Sequence, residues 1–130
     1  MVYGIGTDII QTARIAASLE RIGARFAAKI LGADELLEYH QRQCASEVRA
    51  LHYLCTRYAA KEAFSKALHT GMRAPMSWHA MQVLNDELGA PYIVTHDGLA
   101  QFMQLNELSA SISLSDEIDY AVAFVLIEKN

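Results

Sequence analysis

Two acidic side chains and a lysine are the residues of this 130-residue chain whose types and spacing best suit chemistry. Glu62 lies on the apolar face of a long predicted helix, and Lys66 follows one turn later on the same face. The apolar residues that precede Glu62 on this face are Val48, Leu51, Cys55 and Tyr58. A carboxylate on a buried face is costly unless it is paired, hydrogen-bonded or bound to a metal. Glu62 and Lys66 therefore form either an ion pair within the helix or part of a functional site.

Asp8 is the second acidic candidate, at the end of a predicted opening strand. It follows Gly4 and Gly6, and two glycines in a strand let another backbone or a ligand approach closely. They are not a dinucleotide-binding fingerprint, because the third glycine and the following βαβ unit are absent. Taken alone, Asp8 is most simply a turn residue. Together with Glu62 it offers two hard oxygen ligands, and proteins usually hold Mg²⁺ with such carboxylates beside substrate phosphates.

A stripe of basic residues is the third feature. Arg14, Arg21, Arg25 and Lys29 are spaced 7, 4 and 4 residues apart, so they share one helical face unless Gly23 breaks the helix. The stripe is either an ordinary solvated surface or a docking site for an acidic protein.

Charge and composition set the class of protein. Residues 1–73 carry a net charge of +3 and residues 74–130 a net charge of −7, within a total of −4. This balance argues against a general nucleic-acid-binding domain. The length predicts a single domain over 1–130, and the 52% hydrophobic content suggests subunit interfaces. The two cysteines make no disulfide framework, and the longest apolar run is too short to span a membrane. We expect a soluble, cytoplasmic protein without a membrane partner.

The elements that must position these residues come as helices first and antiparallel strands later, which favours an α+β fold. Ser46 is the predicted N-cap of the long helix. The last strand is apolar at consecutive positions, so we expect a helix on one face and another subunit on the other. The predicted helices cover 13–30, a segment around 35–39, 46–69 and 98–105. The predicted strands cover 1–10, 81–85, 92–95, 109–114 and 120–127.

These residues combine into the pattern of a known family. The motifs, in order, are Gly4-Ile-Gly-Thr-Asp8-Ile-Ile10, Arg57-Tyr-Ala-Ala-Lys61-Glu62-Ala-Phe-Ser65-Lys66-Ala-Leu68, Thr70-Gly71, and Ser111-Ile-Ser-Leu-Ser-Asp116 with Tyr120-Ala-Val-Ala123. With them the chain resembles the bacterial holo-[acyl-carrier-protein] synthases, the short trimeric type of 4'-phosphopantetheinyl transferase. The resemblance covers essentially the whole chain.

The resemblance implies a fold and a reaction. The fold is α+β, with an antiparallel sheet packed against one long helix and shorter helices. The reaction moves the 4'-phosphopantetheine group of coenzyme A to a serine of apo-acyl carrier protein and releases adenosine 3',5'-bisphosphate, in support of fatty acid biosynthesis. Members of this family are homotrimers with Mg²⁺-dependent active sites between subunits.

The resemblance also implies roles for individual residues. Asp8 and Glu62 correspond to the Mg²⁺ ligands, and Lys66 to the residue that contacts the phosphates; these three are the expected catalytic residues. The proton acceptor is left open between Glu62 and a metal-associated water. The expected coenzyme-lining residues are Arg57, Lys61, Ser65, Lys66 and Gly71. The expected docking residues for the acidic carrier protein are Arg14, Arg21 and Arg25.

Two positions depart from the family pattern, and two other functions fit the residues alone. Many relatives have His where this chain has Leu114, which can neither hydrogen-bond a substrate nor take a proton. Ala90 replaces a lysine that is common before the proline. The other functions are a Mg²⁺-dependent hydrolase of nucleotide diphosphates, and a non-catalytic adaptor whose basic helix binds an acidic protein.

Overall fold

The computed structural model describes all 130 residues, in five helices and five strands. Each predicted element is present, but the helix predicted over 13–30 is divided into two. No helix combines the length and the apolar content needed to cross a bilayer. The helices are α1 Thr12–Ile22, α2 Ala24–Ile30, α3 Ala33–Ala45, α4 Glu47–Leu68 and α5 Asp97–Leu105. The strands are β1 Val2–Gln11, β2 Met81–Asn85, β3 Pro91–Thr95, β4 Leu108–Asp116 and β5 Tyr120–Lys129.

The long helix α4 is the centre of the fold. Ser46 caps it as predicted, since the Ser46 side chain accepts a hydrogen bond from the backbone N–H of Arg49 at 3.3 Å. No glycine or proline interrupts its 22 residues, and it ends where His69 adopts a left-handed conformation with φ 72°. The sheet covers one side of α4 while α1, α2, α3 and β2 cover the rest, so most of its side chains are buried.

The strands form two antiparallel sheets, not one. The larger sheet has the order β1-β5-β4 and packs on α4; the smaller sheet is the β2-β3 hairpin. The hairpin turn is closed by Asp86, whose Oδ1 accepts hydrogen bonds from the backbone N–H groups of Leu88 and Ala90, both at 2.9 Å. The hairpin lies against α3 and α4, on a different side of α4 from the larger sheet.

Gly4 and Gly6 seat β1 directly on the backbone of α4. A Cβ atom on Gly4 would lie 1.9 Å from the carbonyl oxygen of Ala67, and one on Gly6 would lie 1.8 Å from that of Ala63. The close approach predicted for these glycines is therefore made by another backbone. It brings the inner face of β1, including Asp8, against the last turns of α4.

The larger sheet has one covered face and one open face. From Ala121 to Ile127 of β5, every second residue is buried and those between are exposed or half-buried, although this part of the strand is apolar at every position. The prediction that a helix covers one face is confirmed by α4; the cover on the other face stays a prediction. Apolar side chains on the open face belong to cross-strand neighbours of β1 and β5, and they include Ile5, Ile9, Val122 and Phe124.

Candidate active site

The inner face of β1 and the last turns of α4 bring Asp8 and Lys66 together. The Lys66 Nζ donates hydrogen bonds to the carbonyl oxygen of Thr7 at 2.9 Å and to Asp8 Oδ1 at 3.2 Å. The ion pair within the helix, one of the two interpretations of the Glu62–Lys66 spacing, is therefore wrong: Lys66 pairs across to the strand. Asp8 is also more than a turn residue, because it lies inside β1 and faces α4.

Glu62 lies beside this pair without a hydrogen-bonding partner for its carboxylate. Burial raises the pKa of Glu62, the nearby Asp8 carboxylate raises it further, and Lys66 opposes the shift. The two carboxylates and one ammonium leave the cluster with a net negative charge. A cation would supply the interaction that Glu62 lacks, and two carboxylates completed by water or substrate oxygens is the usual ligand set for Mg²⁺. The residues present therefore fit this ion.

An aromatic stack adjoins the cluster through Tyr58. Tyr58, one turn before Glu62, stacks on Trp78 with ring centroids 5.2 Å apart and on Phe26 at 6.4 Å. Burial is the main cause that raises the pKa of Tyr58, followed by the charge of Glu62. The sequence placed Tyr58 on the apolar face of α4 but left Trp78 without a role. Its place in this stack depends on a loop that no local pattern describes.

Lys61 does not face the site. Its side chain is fully buried, and its ammonium donates to Glu35 Oε1 at 2.6 Å, to the carbonyl oxygen of Trp78 at 2.6 Å and to that of Ile30 at 2.8 Å. These three bonds use all three N–H groups of the ammonium. Burial lowers the pKa of Lys61, and the Glu35 carboxylate opposes this shift. In this structure Lys61 therefore has no N–H group free for a coenzyme, and the expectation that it lines a coenzyme site stays a prediction.

Ser65 and Gly71 lie near the end of α4, with different exposure. The Ser65 hydroxyl is buried and donates to the carbonyl oxygen of Glu62 at 2.7 Å. Gly71 is exposed, with φ +61°, a conformation that favours glycine. The Gly71 N–H donates to the carbonyl oxygen of Ser65 at 3.2 Å, which ties the loop to the helix end. Their expected role as coenzyme-lining residues stays a prediction.

Arg57 belongs to a second polar site, on another side of α4. It stacks over the ring of Tyr53 at 4.0 Å and donates to the Val83 carbonyl oxygen at 3.2 Å and to Asn85 Oδ1. At 100° per residue, Arg57 and Glu62 point about 140° apart. One chain therefore does not bring Arg57 together with the carboxylate cluster.

The polar groove beside Arg57 has a volume of about 300 Å³ and includes Leu114, the position where many relatives have His. A histidine from another element lies in the same groove: His52 Nδ1 is 3.0 Å from Asp116 Oδ2. Sequence reasoning missed this pair, because 64 residues separate the two side chains and no pattern links them.

The basic stripe is divided. Gly23, with φ 82° and ψ −156°, separates α1 from α2, so of the two outcomes left open at this glycine the structure shows the break. Arg14 and Arg21 lie on α1, and Arg25 lies on α2 with the fourth member of the stripe. All are exposed and none takes part in an ion pair. Their charge is therefore available to a partner.

Known proteins resemble this chain over nearly its full length. A family profile described as the 4'-phosphopantetheinyl transferase superfamily matches residues 4–125. A holo-[acyl-carrier-protein] synthase of Herminiimonas arsenicoxydans is 56% identical over 129 residues, which cover 99% of each chain. One from Burkholderia vietnamiensis is 53% identical and covers 98% of this chain and 88% of its own.

Solved structures share the fold of this chain at lower sequence identity. The crystal structure of the Neisseria meningitidis holo-[acyl-carrier-protein] synthase has a TM-score of 0.91 and 41% identity, and covers 99% of this chain and 100% of its own. The Bacillus anthracis enzyme, solved in complex with CoA (3',5'-ADP), has a TM-score of 0.83 and 32% identity, with coverage of 100% and 99%.

Proposed function

We propose that this chain acts on coenzyme A and an apo-acyl carrier protein. The chain belongs to the 4'-phosphopantetheinyl transferase superfamily and is an enzyme of that class, and the proposal proceeds from this. The 4'-phosphopantetheine group moves to a serine of the carrier protein, and adenosine 3',5'-bisphosphate is released. The observation that carries the proposal is the cluster of Asp8, Glu62 and Lys66. Support comes from the names of the relatives and from the coenzyme bound to the Bacillus anthracis enzyme.

The reaction is a phosphoryl transfer. The serine oxygen forms a bond to the phosphorus that carries the pantetheine, the bond from that phosphorus to the bisphosphate oxygen breaks, and the serine loses its proton. Such a reaction asks a protein mainly to position the groups and to neutralise charge. Lys66, held by Asp8 and the Thr7 carbonyl oxygen, places a positive charge where the diphosphate would lie.

Asp8 and Glu62 are the residues that would hold Mg²⁺. When bound, this ion supplies positive charge to the diphosphate oxygens and stabilises the charge that builds on the leaving group. Glu62 has no hydrogen-bonding partner within the chain, so its carboxylate is free to act as ligand or to hold a proton. Asp8 keeps its pairing with Lys66, which fixes the lysine on the site side of the strand.

We propose a homotrimer with active sites between subunits. The apolar open face of the larger sheet, with Ile5, Ile9 and Phe124, is a surface that a second copy would cover. Because Arg57 and Glu62 point to different sides of α4, a coenzyme that contacts Glu62 of one copy would reach Arg57 only in a neighbour. Light scattering that gives the mass of a stable monomer at working concentration would contradict this assembly.

Mixing two inactive variants tests the shared site directly. Glu62→Gln and Arg57→Ala chains are purified separately, unfolded, mixed in equal amounts and refolded. If each site takes Glu62 from one copy and Arg57 from the next, about a quarter of the sites in the mixture contain both residues, and activity returns accordingly. Mixing Glu62→Gln with Asp8→Asn is the matched control. Glu62 and Asp8 belong to the same half of the site, so no chain in this mixture has both residues and the mixture should stay inactive. Recovered activity would show that Glu62 and Asp8 come from different copies.

The exposed arginines are the proposed docking surface for the carrier protein. Arg14, Arg21 and Arg25 have no acidic partners in this chain, so an acidic protein surface can pair with them. We expect the KM for the carrier protein to rise with salt and with substitution of these arginines by alanine, at unchanged KM for coenzyme A. Arg49→Ala, an exposed arginine outside the stripe, is the control.

Intact mass spectrometry of the carrier protein tests the function itself. Apo-carrier protein incubated with coenzyme A, Mg²⁺ and this enzyme should gain the mass of one phosphopantetheine group. An adaptor would bind the carrier protein without changing its mass, and a hydrolase would consume coenzyme A without any carrier protein. Either result would reject the proposal. A cytoplasmic location and a role in fatty acid biosynthesis are part of the same proposal.

A further inference from the structure

A buried ion pair lies next to the site and takes no part in the proposed chemistry. Lys61 directly precedes Glu62 but points about 100° away from it around α4. The Lys61 and Glu35 side chains have no exposed surface, and their charged atoms are 2.6 Å apart. The other two ammonium bonds go to the carbonyl oxygens of Ile30 and Trp78. One buried cation therefore holds three separate segments of the chain.

The carboxylate of this pair makes the same kind of connection. Glu35 Oε1 also accepts from the backbone N–H of Gly32 at 2.9 Å, and Oε2 accepts from that of Val83 at 2.8 Å. The N–H of Glu35 itself donates to the side chain of Gln82 at 3.1 Å. We call Lys61, Glu35 and their backbone partners the buried hub. Through it, α4 is tied to the end of α2, the start of α3, the Trp78 loop and β2.

Stability alone is a weak reason for such a pair. Buried ion pairs can often be replaced by apolar residues of similar volume without loss of stability, because desolvation offsets most of the attraction. The hub differs from an apolar contact in being directional, since each of its bonds holds one particular backbone group in place. What it supplies is a fixed relative position of the segments that it joins.

The segments joined by the hub belong to two parts of the proposed site, the docking surface and the surroundings of Glu62. Ile30 is the last residue of α2, the helix that presents Arg25 on the docking surface. Trp78 stacks on Tyr58, one turn before Glu62. The hub is thus the buried connection between the surface where a carrier protein would dock and the carboxylates where its serine would react.

We propose that Lys61 is a positioning residue: the buried hub sets α2 and the Trp78 loop at a fixed position relative to Glu62, and so aligns a docked carrier protein with the reacting groups. The inference rests on the proposed function and gives a new role to a lysine that the family pattern assigns to the coenzyme. It requires that loss of the hub acts on the carrier protein side of the reaction more than on the coenzyme side.

The test compares two variants of the hub. Lys61→Met leaves Glu35 buried without its partner and is expected to lower the Tm. Lys61→Met combined with Glu35→Gln removes both charges and is expected to recover most of the Tm. Steady-state transfer is measured against carrier protein and against coenzyme A, well below each Tm. In both variants we expect kcat/KM for the carrier protein to fall about tenfold or more, because small misplacements of reacting groups are costly, while the KM for coenzyme A stays within about twofold.

Leu99→Ala is the matched control, since it removes buried core volume in α5 without touching the hub. It should lower the Tm without the carrier-specific loss. A folded double variant with wild-type kinetics for the carrier protein overturns the inference, and so does a double variant that cannot fold, because the hub would then be a folding element. If the wild-type enzyme does not modify the carrier protein at all, the proposed function itself fails.

Discussion

Lys61 and Lys66 lie five residues apart on the same helix and each pairs with a carboxylate, but they differ in burial and in the N–H groups left for a ligand. Lys61 is wholly buried, 2.6 Å from a carboxylate that is equally buried. Lys66 has about half of its side chain exposed (53%) and lies 3.2 Å from Asp8. The first lysine has no N–H group left for a ligand; the second can contact one. The family pattern gives both to the coenzyme, whereas the fold buries one lysine and leaves the other accessible to a ligand.

The largest expected effect is on the Lys66 side of α4. Asp8→Asn or Glu62→Gln should reduce the rate of transfer by about 10³-fold or more, because each removes a proposed metal ligand. The measurement is the appearance of modified carrier protein by mass, with circular dichroism to show that each variant is folded. Glu128→Gln, an exposed acid far from the cluster, is the control and should keep full activity. An active Asp8→Asn, Glu62→Gln double variant would reject the proposed site.

Removing each lysine in turn tests the comparison itself. Lys61→Met should lower the free energy of unfolding by about 3–5 kcal/mol, because it leaves a buried carboxylate unpaired. Lys66→Met should lower it by less than about 1 kcal/mol, because the pair is partly exposed, while activity falls. Urea unfolding gives both values. Equal losses in the free energy of unfolding would contradict the view that Lys61 has a larger structural role than Lys66.

Binding of Mg²⁺ should stabilise only a protein that keeps both proposed ligands, Asp8 and Glu62. A native-state ligand at 100 times its Kd adds about 2.7 kcal/mol to the free energy of unfolding. We expect the Tm of the wild-type protein to rise with Mg²⁺ and that of Glu62→Gln to stay unchanged. Lys61→Met should keep the Mg²⁺ response from a lower starting Tm. An unchanged Tm for the wild-type protein in millimolar Mg²⁺ and coenzyme A would count against the metal site.

The smallest expected effect concerns Glu62 in metal-free protein. Its pKa is higher in the folded state, so the stability that its proton contributes is present below the unfolded-state pKa and is lost as the pH rises through the folded-state value. At pH 7.5, Glu62→Gln should therefore raise the free energy of unfolding by less than about 1 kcal/mol, given its partial exposure. The gain should vanish near pH 4. Urea unfolding in EDTA at both pH values measures it, and a loss of stability at pH 7.5 would contradict the cause of the shift.

Local patterns in the sequence were enough to predict most of the fold. The long helix follows from Ser46 and from the absence of glycine and proline after it, both of which act within a few residues. The strands follow from apolar runs bounded by turn residues. The break at Gly23 was foreseen as one of two outcomes, because glycine permits a break without requiring one.

The site was predicted in part, and its limits have a physical cause. Asp8 and Glu62 could be paired because each stands out against an apolar background. The burial of Lys61 could not be predicted, since it depends on Glu35, 26 residues away, and helical spacing gives the direction of a side chain but not what covers it. The 140° offset of Arg57 from Glu62 around the helix already predicts that the two side chains point to different sides. The family motif contains both residues, which suggested instead that they share one site.

Gly4 and Gly6 have a consequence for the geometry of the carboxylates. Asp8 belongs to strand β1, whose glycines lie against the carbonyl oxygens of Ala63 and Ala67, with no room for even a methyl group between strand and helix. Glu62 and Lys66 belong to the helix on which that strand rests. The separation of the two backbones that carry the acids is thus set by main chain touching main chain and not by the size of a core side chain between them.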